Sequence, residues 1–479
     1  MLGQKSHFRF TQNAFVDSGL TVLMLHAGVH EPDELTEAHI TSFIDWAVPI
    51  YLTSSMAGFL TFVIFPNASF ANPAQINKEE YRPKREKILR DVFNLWRWTP
   101  DDPFPETEER ASPIEQCVFS GDQAVVRISQ TLMPMIGGRD AINFFPQGRP
   151  KLPVSGWCLL ALLAMPMATL NSSGKAFLPF SYDAAVRRDL LQKNWERNRH
   201  DFLNQTLHKR PNYSFPKTQL IGDLLDIINH DTVRTPITAY HFVSGGQTPN
   251  IDLYPLSMNV LRFIKKVKNS RQTETAWNNI VSSAWERNTE EGSQRRNFVY
   301  EDMFTLPQRA RRFLRRYLLR YRSKGKASKT DPRFQYSFIR EREVISWELI
   351  RLFLEDIMRI DRERVDAIKA LADRLVGYLK ENPHFYRQLY MARGESNLRR
   401  LLLNAAHHAK EKNRPSLLPY DDVIKIFFVE EDGVLQSDWY LAIDLLLIAM
   451  IEQMSSDWVQ EYGGDIEEAI EKTPIKEDE

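Results

Sequence analysis

Residues 346–380 read SWELIRLFLEDIMRIDRERVDAIKALADRLVGYLK. No proline interrupts this stretch, its one glycine is Gly377, and apolar residues return every three or four positions. That period places them on one helix face, so the spacing predicts a single long helix ending before Pro383. Further helical patterns follow at 397–410, 421–430 and 438–453. Successive amphipathic helices bury their apolar faces against one another, so residues 341–479 are expected to form an all-helical bundle.

Upstream the patterning is mixed. Residues 13–27 have helical spacing, with Asp17 or Ser18 as the expected N-cap. Residues 51–65 are rich in β-branched and aromatic side chains and stop at Pro66, which predicts a strand in their second half. The following NASFANPAQIN (67–77) reads as a loop, 84–98 as a charged helix, and the proline- and acid-rich 99–113 as a linker. Residues 117–158 read as β-rich, with turns at Gly121, Gly137-Gly138 and Gly148, while 184–208 and 253–290 read as helices. The expected fold class is α+β: a mixed N-terminal domain over 1–340, carrying a ribbon-like region at about 114–160, followed by the helical bundle.

Lysine plus arginine and aspartate plus glutamate both total 62, so the formal charge is zero. The balance is local rather than uniform. Residues 309–333 hold eleven basic side chains and one acid, Asp331, while 455–479 hold nine acids against Lys472 and Lys476. Two cysteines, Cys117 and Cys158, are too few for a disulfide framework and point to a reducing compartment. The N-terminal MLGQKSHFRFTQ lacks the apolar core of a signal peptide. The longest apolar run, 157–170, is too short to span a bilayer, so a cytoplasmic protein with no membrane partner is expected.

Cys117-x-x-Ser120-Gly121 and Ser155-x-x-Cys158 imitate the spacing of two zinc-ribbon knuckles. Two thiolates do not complete the tetrahedron that structural zinc requires, and serine is a poor substitute. A ribbon-like fold held by packing, with no metal or other cofactor, is expected. Gly174-Lys175 and Gly325-Lys326 fail as phosphate loops, because alanine follows each lysine and no glycine stands five residues upstream. His230-Asp231, with His208 and His241, supports a rival reading as a metal-dependent nuclease or phosphohydrolase, but the flanking INHDTVRTP reads as a helix end and loop.

The segment RARRFLRRYLLRYR (309–322) carries more information. Ala310, Phe313, Leu314, Tyr317, Leu318 and Tyr321 form an apolar stripe at helical spacing. Arg309, Arg312, Arg316 and Arg320 line one flank; Arg311, Arg315 and Arg322 line the other. Guanidinium forks match phosphate oxygens, so the row is expected to contact a nucleic-acid backbone, extended by Lys324 and Lys326 in the loop that follows. The plainer alternative is pairing to acids elsewhere in the chain.

Four segments, in this order, resemble the large subunit of type I-B CRISPR Cascade: FTQNAFVDSGL (10–20), FPNASFANPA (65–74), PMIGGRDAINFFPQGRPKLPVSGWCLLALLAMPMATL (134–170) and YHFVSGGQTPNIDLYPLSMNVLRFI (240–264). Many relatives carry a full CxxC in each knuckle, where this chain has one cysteine and one serine. The resemblance implies a non-catalytic subunit of an RNA-guided complex. It would read the PAM, stabilise the R-loop and dock a downstream effector in antiviral defence, with base pairing to the guide reading the sequence itself. Implied partners are crRNA, target double-stranded DNA, the backbone, handle-binding and small subunits, and either a helicase-nuclease or a TniQ adaptor. Base edges are read by amide, hydroxyl and guanidinium groups. Three polar loops offer these: Asn67, Ser69, Asn72 and Gln75 in the first; Asn143, Gln147 and Arg149 in the second; Gln247 and Asn250 in the third. The helical C-terminus resembles the small subunit, which this family can make from an internal start; Met358 and Val344 are the candidates.

Overall fold

The computed structural model describes the chain apart from residues 1–7, 137–150, 204–210, 228–233, 246–248, 288–292, 323–328, 338, 340, 393, 432–433 and 473–479. The fold is α+β, as the sequence indicates, and comprises two compact units, Met1–Leu256 and Ser257–Glu479. The boundary between the units falls at 256/257, so residues on both sides of 340 belong to the second unit. Helices before 340 pack on helices after it, and that pairing is invisible in a linear reading.

The first unit opens with α1 (Ala14–Ala27), α2 (Glu37–Tyr51), α3 (Ser54–Phe59) and α4 (Arg82–Asn94). Asn13, not Asp17 or Ser18, caps α1: its Oδ1 accepts from the amides of Phe15 and Val16, each at 3.1 Å. Asp17 lies buried inside the first turn. Its carboxylate accepts from the Thr11 amide (2.7 Å), the Thr11 hydroxyl (2.9 Å) and the Gln12 amide (3.0 Å), fixing the chain that enters the helix. Residues 51–65 are helical rather than β. Thr53 caps α3, and Leu60–Ile64 continue it as a wider π turn. Met56, Phe59, Leu60, Val63 and Ile64 are all buried at three- and four-residue spacing, and that tertiary demand overrides β-branched propensity.

A three-stranded antiparallel sheet follows, β1 (Glu109–Arg110), β2 (Val126–Ile128) and β3 (Leu152–Val154), in the order β1-β2-β3. Among the described residues of 117–158 the strands are β2 and β3, and α5 (Gly156–Ala164) begins before that stretch ends. Every residue of α5 is buried, as an all-apolar helix requires. It packs on α1 so closely that a Cβ on Gly19 would lie 1.7 Å from the Ala161 carbonyl oxygen. The second sheet has the order β4-β5-β6-β7, all antiparallel: β4 (Leu170–Ser172), β5 (Lys175–Ser181), β6 (Ile237–Val243) and β7 (Asn250–Leu256). Between β5 and β6 run α6 (Ala184–Leu203) and α7 (Pro216–Ile227), and α6 packs on α1 and β5.

The second unit contains α8 (Met258–Lys268), α9 (Arg271–Ser283), α10 (Phe298–Met303), α11 (Ala310–Phe313), α12 (Trp347–Asp356) and α13 (Arg362–Glu381). The single helix expected over 346–380 is therefore two. Asp361 accepts from the Glu363 amide at 2.7 Å as a new N-cap, and Arg359 turns left-handed at φ 59° to close the helix before it. Met358 falls in that break.

The chain continues with α14 (His384–Tyr390), α15 (Glu395–Glu411), α16 (Tyr420–Phe427), β8 (Phe428–Glu431), β9 (Val434–Ser437), α17 (Trp439–Ile451) and α18 (Ser456–Lys472). The β8–β9 hairpin makes the bundle largely, not entirely, helical. From Leu441 to Ile451 α17 is buried at every position, and it packs against α13, α14 and α16. No single described helix is long and apolar enough to cross a membrane.

Candidate nucleic-acid interface

The first polar loop is held from below by Arg85. This buried guanidinium donates to the carbonyls of Phe70 (2.8 Å), Ile76 (3.2 Å) and Leu52 (3.4 Å). Asn67 stands exposed at φ 60°, and Asn72 is exposed, with its side-chain oxygen taken by the Ala74 amide at 2.9 Å. Ser69 and Gln75 are half-buried. Asn72 thus serves its own turn, while Asn67 presents its amide outward.

The third loop begins where the first is anchored. Buried Ser244 donates its amide to the Val63 carbonyl at 2.7 Å, and Gly245 lies so close to Phe62 that a Cβ would sit 2.2 Å from its carbonyl oxygen. The Ser244 hydroxyl accepts from the Met135 amide at 3.0 Å, on the segment that leads into the second loop. Stretches far apart in sequence therefore meet around one serine. Asn143, Gln147, Arg149 and Gln247 lie outside the described residues. Asn250 opens β7, exposed, with its oxygen 2.5 Å from the Lys175 ammonium, which also pairs with Asp252 at 2.8 Å.

Three contributors escaped the sequence reading. Lys175 was dismissed with the failed phosphate loop. Ser244 lies within the segment 240–264 but is not among the base-reading candidates, and Phe62, on the π turn, is 60% exposed. An apolar residue displayed to solvent in an otherwise buried helix has no signal in composition.

The basic segment departs from the expected row. Arg315, Arg316 and Arg320 are buried, and each meets an acid from another element. Arg315 Nε lies 2.8 Å from Asp444 on α17, Arg316 Nη1 lies 3.2 Å from Asp302, and Arg320 Nε lies 3.0 Å from Glu341. The Arg320 guanidinium also stacks 3.5 Å from the centre of the Tyr336 ring. Tyr321 donates to Asp444 at 3.1 Å and Tyr317 to Asp302 at 2.6 Å. Burial raises the Asp444 carboxyl above its ordinary range despite the Arg315 guanidinium. These three arginines cross-link the interior and are not a phosphate-facing row.

The local scarcity of acids misled the reading, since the partners arrive from 302, 341 and 444. Arg309, Arg311 and Arg322 remain exposed, Arg311 pairing with Asp438 at 3.1 Å; Arg312 is half-buried. Lys324 and Lys326 lie outside the described residues. On α8 the exposed Arg262 and Lys266, with Arg271 starting α9, form another basic face, and Lys266 reaches Asp356 at 2.7 Å.

The two degenerate knuckles do converge. Cys117 is hydrogen-bonded to Cys158 and to the hydroxyls of Ser120 and Ser155, which stand 3.5 Å apart. The Cys158 hydrogen bond lowers the Cys117 pKa, while burial raises that of Cys158. Among the described residues no group of three His, Cys, Asp or Glu side chains gathers anywhere. Two sulfurs and two hydroxyls do not suit structural zinc. His208, His230 and Asp231 lie outside the described residues. His241 is half-buried between Phe177 and Tyr254, with Nε2 at 3.3 Å from the Ser172 carbonyl, an arrangement of sheet packing.

No protein-family model, curated protein or solved structure matches the chain.

Proposed function

We propose that this chain is the non-catalytic large subunit of an RNA-guided Cascade complex, reading the PAM and holding the opened target strands. The observation that supports it is the meeting of Val63, Met135 and Ser244, which brings together in the first unit the described stretches that neighbour the candidate residues in sequence. A reader of base edges needs amide and basic groups projecting together from a rigid base. Asn67 and Asn250 are both exposed, Asn250 with Lys175 beside it, and Asn143, Gln147 and Arg149 are the further candidates in the sequence. Phe62 offers an aromatic face on which an unpaired base can stack.

Phosphate contacts fall to the exposed Arg309, Arg311 and Arg322, with Lys324 and Lys326 following in sequence. Counterion release makes such contacts salt-dependent and indifferent to sequence, which suits strand holding. The partners are crRNA, target DNA, the other Cascade subunits and a helicase-nuclease or TniQ adaptor, in the cytoplasm.

The test is duplex binding by the reconstituted complex, with and without this subunit, against a randomised flank beside a fixed target. Enrichment of a short flank only when the subunit is present supports the reading. Equal flank preference in both cases removes PAM recognition from this chain.

A further inference from the structure

We infer that Cys117 and Cys158 are an oxidation site: in the folded chain a peroxide closes the two thiols into a disulfide, cross-linking the Cys117 turn to the first turn of α5. The inference is independent of nucleic-acid binding and rests on how the two sulfurs are held. The turns that carry them adjoin: the Ser120 and Ser155 hydroxyls, each three residues from its cysteine, stand 3.5 Å apart, and both cysteines are buried in one core. They are also the only cysteines in the chain, so each has a single intramolecular partner.

Both sides are anchored by backbone. The Cys117 amide donates to the Asp122 carbonyl at 2.7 Å, the Gly121 amide returns to the Cys117 carbonyl at 2.9 Å with Gly121 at φ 75°, and the Val118 amide reaches the Pro153 carbonyl at 3.1 Å. Across the gap, Cys158 sits in the first turn of α5, whose Leu159 amide donates to the Ser155 carbonyl at 3.1 Å. Trp157 Nε1 donates to Asp122 Oδ2 at 2.9 Å and ties the turn to the helix next to the sulfurs. Thiols carried on two elements tied together in this way lose little freedom on bonding, so the disulfide forms in preference to separate oxidation of each sulfur.

The chemistry balances with hydrogen peroxide as the oxidant. The Cys117 thiolate attacks one peroxide oxygen; an S–O bond forms, the O–O bond breaks and hydroxide leaves. The Cys158 sulfur then attacks the resulting sulfenic sulfur; the S–S bond forms, the S–O bond breaks, and the departing oxygen takes up protons as water. Two thiols give up two electrons, and the peroxide becomes two waters. Cys117 is 3% exposed and Cys158 is fully enclosed, so a small oxidant reaches the pair where bulky thiol reagents do not.

The full-length folded chain is treated with hydrogen peroxide, quenched, denatured, and its thiols are titrated. The expected result is a fall from two thiols to none, restored by dithiothreitol, with an intact mass lower by two hydrogens and Cys117 and Cys158 peptides linked in a non-reducing digest. Cys117→Ser and Cys158→Ser should each abolish that mass loss, and an unchanged limited-proteolysis pattern shows that the treated chain was folded. The proposal is overturned if both thiols survive a dose that oxidises the denatured chain. It also fails if oxygen is added to either sulfur without cross-linking, or if the link forms between two chains.

Discussion

Replacing Asp444 by alanine separates the two readings of the basic segment. In the structure the carboxylate is 3% exposed and holds Arg315 at 2.8 Å and the Tyr321 hydroxyl at 3.1 Å, deep in the second unit. Alanine removes the Asp444 charge that faces the buried Arg315 guanidinium, and breaking a buried pair on one side costs about 3–5 kcal/mol. For a unit of this size each kcal/mol moves the melting point by about 2–4 °C, so a fall of about 6–20 °C is expected. The measurement is denaturation of the full chain followed by hydrogen exchange in peptides from α17, which reports on this unit.

The double variant Arg315→Met/Asp444→Leu is the control, because removing both charges together is close to neutral or stabilising. It should recover most of the loss, giving a favourable coupling of about 2 kcal/mol or more in the double-mutant cycle. A loss below about 1 kcal/mol for Asp444→Ala would refute the reasoning. So would a double variant that costs the sum of the singles, since Arg315 would then not depend on Asp444.

Other outcomes follow from the same geometry. Asn67→Ala should weaken discrimination among flanks by about 1–3 kcal/mol at one position, seen as lost enrichment in the randomised-flank assay, with stability within about 0.5 kcal/mol of the parent. Charge reversal at the exposed Arg309 and Arg322 should lower DNA affinity equally on all sequences and make the salt slope shallower by about one per lost contact, measured by binding across a salt series.

Gly19→Ala places a methyl 1.7 Å from a helix carbonyl and should cost about 3 kcal/mol, read as a lower denaturation midpoint for the first unit. Glu381 receives hydrogen bonds from Lys412 and Arg414 that lower its pKa from 4.5 to about 2. Its contribution is therefore complete above the unfolded value and lost as pH falls from about 4.5 through about 2. Glu381→Gln should flatten stability against pH in that window, as measured by acid titration of the melting point.

Burial assigns physical roles to much of what the resemblance rests on. In FTQNAFVDSGL, Asn13 caps α1, Asp17 fixes the entering chain, and Gly19 permits contact with α5. Arg187 lies over Phe10 at 4.1 Å. In SGWCLLALLAM, Gly156 would strike the Leu95 carbonyl if it carried a Cβ. These residues are constrained by architecture.

Local pattern was enough for the mixed class, the helices at 395–411 and 439–451, and the pairing of the two knuckles. Each depends on spacing along the chain, which fixes the face a side chain occupies. It failed where a local cap went unread or a distant residue decided the outcome. Asp361 and Arg359 broke an apparently continuous helix by capping, and buried neighbours made 54–64 helical against β-branched propensity. The arginines of 309–322 showed the largest difference. Charge density alone suggested a surface row, but Asp302, Glu341 and Asp444 draw the middle of that row inward. A salt bridge is set by distance in space, and only the fold brings residues 315 and 444 together.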